Sequence, residues 1–232
     1  MVIPTIEKDI LFEDNHLLIY NKKPSQIVQG DKTGDRPLSD LLKDFIKERD
    51  KKPGNVYLGV VHRIDRPVSG AVLFAKTSKA LTRLNEMLKS GEIHKIYWAV
   101  VKNRPPEDNG HLIHFLKRNE EKNKSFAYDK VIPHSKQAEL TYTLISQSEQ
   151  FYLLEVNLLT GRHHQIRSQL AKIGCPVKGD LKYGFDRSNP DGSIHLHARK
   201  IELLHPVKKV MMSIVAPTPE DNLWNYFLEH HE

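Results

Sequence analysis

One cysteine in 232 residues, Cys175, excludes an intramolecular disulfide and any site built on several thiolates. No apolar run is long enough for a membrane-spanning helix or a signal-peptide core, and the N-terminal segment instead carries Glu7, Asp9, Glu13 and Asp14. A reducing, cytoplasmic setting is the expectation. Also missing are G-x-G-x-x-G, the P-loop pattern, G-x-S-x-G and H-E-x-x-H, so the usual nucleotide-binding, serine-hydrolase and zinc-hydrolase signatures are lacking. The histidines of His163-His164, His195-Leu196-His197 and His111 with His114 have no acidic ligand run beside them, and no metal is expected. No internal repeat, heptad seam or low-complexity linker interrupts the chain, and its C-terminal Glu229-His230-His231-Glu232 reads as native sequence.

What is present supports a globular fold. A hydrophobic content of 39% over this length suffices for the core of one large domain or two intimately packed lobes. Lys plus Arg number 35 against 29 Asp plus Glu, a net charge of +6 that favours an anionic partner, nucleic acid first.

Ile10-Leu11-Phe12 and Leu17-Leu18-Ile19-Tyr20 flank a polar turn and predict an opening hairpin. Beyond the Gly-, Asp- and Pro-rich stretch from Pro24 to Pro37, apolar positions 38, 41, 42, 45 and 46 predict a helix with Ser39 as its N-cap. Ala71–Ala75 reads as a buried strand, Ser78–Lys89 as a helix stopped by Gly91, and Ile96–Val101 as a strand. Pro105 and Pro106 then close a first lobe, with the boundary near 104–110 of a single domain spanning 1–232. Leu140, Tyr142 and Leu144 alternate with Thr141, Thr143 and Ile145 and predict an antiparallel partner for Phe151–Leu159. A helix follows over His163–Ile173, then strands at Ile201–Leu204 and Val210–Val215, and a helix at Asp221–Leu228. The interleaving lacks a strict β-α-β rhythm, so the expected class is α+β: a central mixed, mainly antiparallel sheet flanked by helices.

Three clusters are candidates for chemistry. Val61-His62-Arg63-Ile64-Asp65-Arg66-Pro67-Val68-Ser69-Gly70 places a carboxylate between two guanidinium groups, which favour its ionised form. Asp65 is then a nucleophile beside phosphate-handling arginines, or one partner in a surface turn; the motif alone admits both. Thr160-Gly161-Arg162-His163-His164-Gln165-Ile166-Arg167 sits at an expected helix N-terminus, where Arg162 is a candidate phosphate ligand and Arg167 a candidate partner for Asp65. In His94-Lys95-Ile96-Tyr97-Trp98, strand alternation puts Lys95 and Tyr97 on one side, a base-stacking platform beside a phosphate contact or an ordinary core aromatic. The segment Lys117–Lys136 mixes basic, acidic and aromatic residues, a charge run that reads as solvated surface.

Together with Gly179-Asp180-Leu181-Lys182-Tyr183-Gly184, these segments resemble the motifs of the RluA family of RNA pseudouridine synthases: H-R-L-D-R-x-T-S-G, K-x-Y, T-G-R-x-H-Q-I-R and G-D-x-x-Y-G, in that order. The resemblance implies the pseudouridine synthase fold, Asp65 as nucleophile, Tyr97 stacking on the target uracil and Arg167 paired with Asp65. It implies Arg63 entering the duplex in place of the extruded nucleotide. With Arg66, His62, Lys95, Arg162 and His164, Arg63 makes up the expected RNA-binding set. The implied substrate is structured RNA, rRNA or tRNA, with no cofactor; no metal and no membrane are expected, and since nothing in the sequence demands a partner chain, a monomer is the expectation. No S4-like domain is expected ahead of the catalytic region. Ile64 replaces the family's Leu, and Val68 replaces Thr, removing one hydroxyl beside the loop. A non-catalytic RNA-binding or ribosome-assembly factor on the same scaffold is the alternative, and a His-dependent metal hydrolase is a more distant third.

Overall fold

The structure, a computed structural model, describes residues 6–31 and 33–231; residues 1–5, 32 and 232 of the expected 1–232 domain lie outside that description. The chain divides into two compact units, one formed by Met1–Ile93 with Ala198–Pro217, the other by His94–His197 with Thr218–Glu232. The division falls at 93/94 and not near 104–110. Pro105 and Pro106 lie within the second unit, because its sheet begins with the strand before them.

In the first unit, β1 (Ile10–Glu13) and β2 (Leu17–Lys22) form the expected hairpin. β4 (Ser69–Ala75), buried along its whole length, pairs antiparallel with β2 from Leu17↔Ala75 to Lys22↔Gly70. β3 (Gly59–Val60) also pairs with β4. β10 (Leu196–Leu204), which enters this unit at Ala198, pairs with β11 (Met211–Val215). Leu17, Ile19, Leu73, Leu84, Ile201 and Leu203 bury together as its core. Helix α2 (Ser78–Ser90) is ended by Gly91 in the left-handed region, as its sequence predicts, and its first turn is capped by the Thr77 side chain. Helix α1 (Leu38–Arg49) starts one residue before the expected cap: its N-cap is Pro37, and Ser39 is buried in the first turn. The amides of Leu38 and Ser39 donate to the carbonyls of Ile27 and Val28, so chain folded back from the preceding loop does the work expected of a side-chain cap.

In the second unit, the strands run in the order β5 (His94–Val101), β9 (Tyr152–Leu158), β8 (Lys136–Gln147), β6 (Asn109–Asn119), β7 (Lys124–Tyr128), each antiparallel to its neighbour. Helix α4 (Asn222–Glu229) buries Trp224 and Phe227 against Trp98, Val100 and Leu153. Asp221 caps it and also meets His195 Nε2 at 3.1 Å. Helix α3 (Gln165–Lys172) begins two residues later than expected, after His164 at φ 53°. The Gln165 side-chain oxygen accepts from the Arg162 amide and the Thr160 hydroxyl at 2.9 and 2.8 Å, holding the approach outside helical geometry. The fold is the expected mixed α+β class, and among the described residues no helix is long and apolar enough to cross a membrane.

Gly70, the last residue of the Asp65 motif, lies at φ 111°, and a Cβ there would stand 2.4 Å from the Ala198 carbonyl oxygen. Only glycine fits both constraints. Gly70→Ala should therefore cost about 2 kcal/mol or more of stability, read as a lowered urea midpoint; an unchanged midpoint would refute this close approach.

Candidate active site

The loop between β3 and β4 is fastened at both ends and turned in the middle. Val61 N donates to Leu73 O, His62 Nε2 accepts from Leu73 N at 3.2 Å, and Val68 N donates to Asp65 O at 3.0 Å across the turn containing Pro67. Ile64 and Val68 point into the core, which leaves Asp65 half-buried and Arg63 and Arg66 exposed. Arg66 pairs with Asp35.

Beneath the turn sits a residue that sequence reasoning passed over. Lys22, at 0% exposure, donates from Nζ to the carbonyls of Lys23, Gln26 and Arg66 at 2.9, 2.9 and 3.1 Å. It ties the backbone next to Asp65 to the end of β2. Its position after an apolar strand gave one signal, but an exposed lysine there would read identically.

In the second unit, Arg167 is 4% exposed and grips Asp180 through two parallel bonds, Nε to Oδ2 at 2.6 Å and a terminal nitrogen to Oδ1 at 2.8 Å. The guanidinium lies 5.0 Å from the Tyr183 ring centre. The Tyr183 hydroxyl accepts from Ser125 N at 2.8 Å and lies 3.0 Å from His164 Nδ1, while His163 stacks on His164 at 3.8 Å. Gly179 makes this arrangement possible: at φ 86°, its Cβ would stand 2.9 Å from the Ser193 carbonyl. The Gly-Asp-x-x-Tyr-Gly segment is therefore the support of Arg167. Asp180 and Tyr183 belong to the site's framework, although sequence reading assigned neither a role.

Of the expected RNA contacts in this unit, Arg162 is exposed, with its Nε donating to Gln137 O at 3.0 Å. Lys95 is half-buried, and its Nζ is 3.5 Å from the Cβ position of Gly161. Tyr97, on the same side of β5 by strand alternation, is 6% exposed. His164 is buried within the Arg167 support. Among the described residues no group of three or more His, Cys, Asp or Glu is arranged to hold a metal ion.

Two measurements test these supports. Asp180→Ala leaves Arg167 without its bidentate carboxylate and should destabilise the protein by about 3–5 kcal/mol, seen in urea unfolding; a loss below about 1 kcal/mol would mean that the pair behaves like a surface contact. Burial pushes Lys22 down to about 7, with Asp65 opposing the shift and Arg66 adding to it. An unfolded lysine keeps its proton to about pH 10.4, so the folded chain binds fewer protons in that window and stability rises with pH there. The urea midpoint should climb from pH 7 to about 10 relative to that of Lys22→Met, and parallel profiles would contradict the depressed Lys22.

The RNA pseudouridylate synthase family matches residues 16–172, a span that includes Asp65, Tyr97 and Arg167. Ribosomal large subunit pseudouridine synthase D of Xylella fastidiosa is 33% identical over 229 residues, covering 93% of this chain and 67% of that protein. An uncharacterized RNA pseudouridine synthase of Bacillus subtilis, YhcT, is 32% identical over 225 residues, covering 95% and 72%. Among solved structures, human RNA pseudouridylate synthase domain containing 4 shares the fold, with a TM-score of 0.80 over 100% of this chain and 97% of that one at 20% identity. With the motif order, the fold and these relatives in agreement, the chain belongs to the RNA pseudouridylate synthase family and is an isomerase that acts on RNA.

Proposed function

We propose that this enzyme isomerises a uridine of structured ribosomal RNA, with Asp65 as its nucleophile. The observation that carries the reading is the Asp65 turn: a half-buried carboxylate on backbone held by Lys22 below and by Gly70 at its end. A reacting group must keep its position while its partner moves, and a fastened loop supplies that. The ribosomal substrate is suggested by the name of the Xylella fastidiosa relative.

A stacked uridine must leave the helix before its glycosidic bond can be reached, at a cost of a few kcal/mol that backbone contacts offset. Arg63, exposed on the turn, is assigned to fill the vacated position. Arg66, His62, Lys95 and Arg162 are assigned to the RNA, and His164 acts through the Arg167 support. Tyr97 is assigned to stack on the extruded uracil, and Arg167, held by Asp180, is assigned to the catalytic set. Asp65 drives cleavage of the N1–C1′ bond; the base turns while enclosed, C5 bonds to C1′, the C5 proton leaves and N1 gains one. Atoms and electrons balance within the nucleotide, so the isomerisation consumes no co-reactant. Water is kept from the intermediate because hydrolysis would release the base.

Asp65→Asn should remove pseudouridine formation on ribosomal RNA, mapped by mass spectrometry, while leaving RNA affinity nearly intact. Retained product would overturn Asp65 as nucleophile. A folded, RNA-binding wild type that makes no pseudouridine would favour the assembly-factor alternative.

A further inference from the structure

We propose that the open face of the β6–β7–β8 sheet is a stacking platform for unpaired nucleotides of the RNA other than the uridine that is isomerised. The inference rests on the RNA-modifying reading above.

Cross-strand register assigns the faces. Phe115 lies opposite Tyr128 and Lys117 opposite Phe126, so these four side chains share one face, which Ile113 and Lys124 extend. The reverse face is covered: Leu116, His114 and Ala138 are buried there, and Gln169 of α3 donates to His114 Nδ1 and Ala138 O. On the open face, Ile113 is 47% exposed and Phe126 and Tyr128 are each 37% exposed. Aromatic rings left in water on the edge strand β7 contribute little to the core.

Charge selects the occupant. Among the described residues, neither Lys117 nor Lys124 has a carboxylate within ion-pair distance; Lys124 Nζ, at the edge of the face, lies 4.8 Å from the Tyr183 ring centre and 5.4 Å from that of Phe126. The face's own carboxylate, Glu139, already meets His111 at 2.8 Å. Asp129 lies toward the covered side, with Lys172 and His114. Flat rings alternating with unneutralised ammonium groups suit bases and phosphates together, whereas an apolar protein partner would leave both lysines buried without counter-charge. Phe126 and Tyr128 stand about 7 Å apart along the strand, roughly twice the rise between stacked bases. Each ring is thus spaced for one splayed base, as on other sheets that read single-stranded RNA.

The test is fluorescence anisotropy with a 5′-fluorescein oligouridine, on full-length wild type and on Phe126→Ala/Tyr128→Ala, with sedimentation velocity on both. The double variant should bind at least about tenfold more weakly, and Phe126→Leu/Tyr128→Leu, which keeps apolar area but loses the flat rings, should bind as weakly. Lys117→Gln/Lys124→Gln should make log K less dependent on log salt by about one unit. Unchanged affinity in the alanine variant, full binding by the leucine variant, or loss of a dimer with RNA affinity intact would each overturn the platform. Wild-type pseudouridine formation on ribosomal RNA, run in parallel, separates this from failure of the enzymatic reading: product with unchanged affinity sinks the platform alone, and no product sinks the function.

Discussion

Placing a full positive charge where water cannot reach it is the constraint around which this structure is arranged. Arg167 is 4% exposed, and an unpaired guanidinium there would be untenable. Asp180 answers it with two parallel bonds, Tyr183 lies beside it, and Ser125 and His164 meet the Tyr183 hydroxyl. Each member holds the next, so the guanidinium is gripped on its Nε edge and flanked by a ring. Lys22 follows the same logic in the other unit: three carbonyls match its three donors, and one of them belongs to the residue after Asp65.

Glycine makes both arrangements geometrically possible. Gly70 permits β4 to begin directly behind the Asp65 turn, and Gly179 lets the chain reverse so that Asp180 faces α3. These two residues punctuate the motifs because any side chain at either position would meet backbone atoms at less than contact distance. Val68 fits the same picture from the apolar side: it is 2% exposed and anchors the turn by burial.

Periodicity carried far in this chain. The hairpin, the buried β4, the two long strands β8 and β9, and helices α2 and α4 all appear where alternation and capping residues placed them, because local chemistry decides those elements. Helix starts were less legible. Ser39 and His163 are acceptable first residues by composition, yet Ile27 and Val28 carbonyls advance one start and the Gln165 side chain delays the other. The expected boundary at 104–110 missed for a related reason: the first unit is completed by Ala198–Pro217, and no local signal announces a segment that returns after a hundred residues.

The sequence by itself determined the family, since the motifs that contain Asp65, Tyr97 and Arg167 occur in a specific order, and it determined the α+β class through its alternating and helical periods. It did not reveal that Asp180 holds Arg167, that Lys22 underpins the Asp65 turn, or that Phe126 and Tyr128 face water beside two lysines. Those facts depend on burial and cross-strand register. A lysine's letter is the same whether its ammonium is solvated or enclosed by three carbonyls, and an aromatic on a strand reads as core until the sheet shows which face was left uncovered.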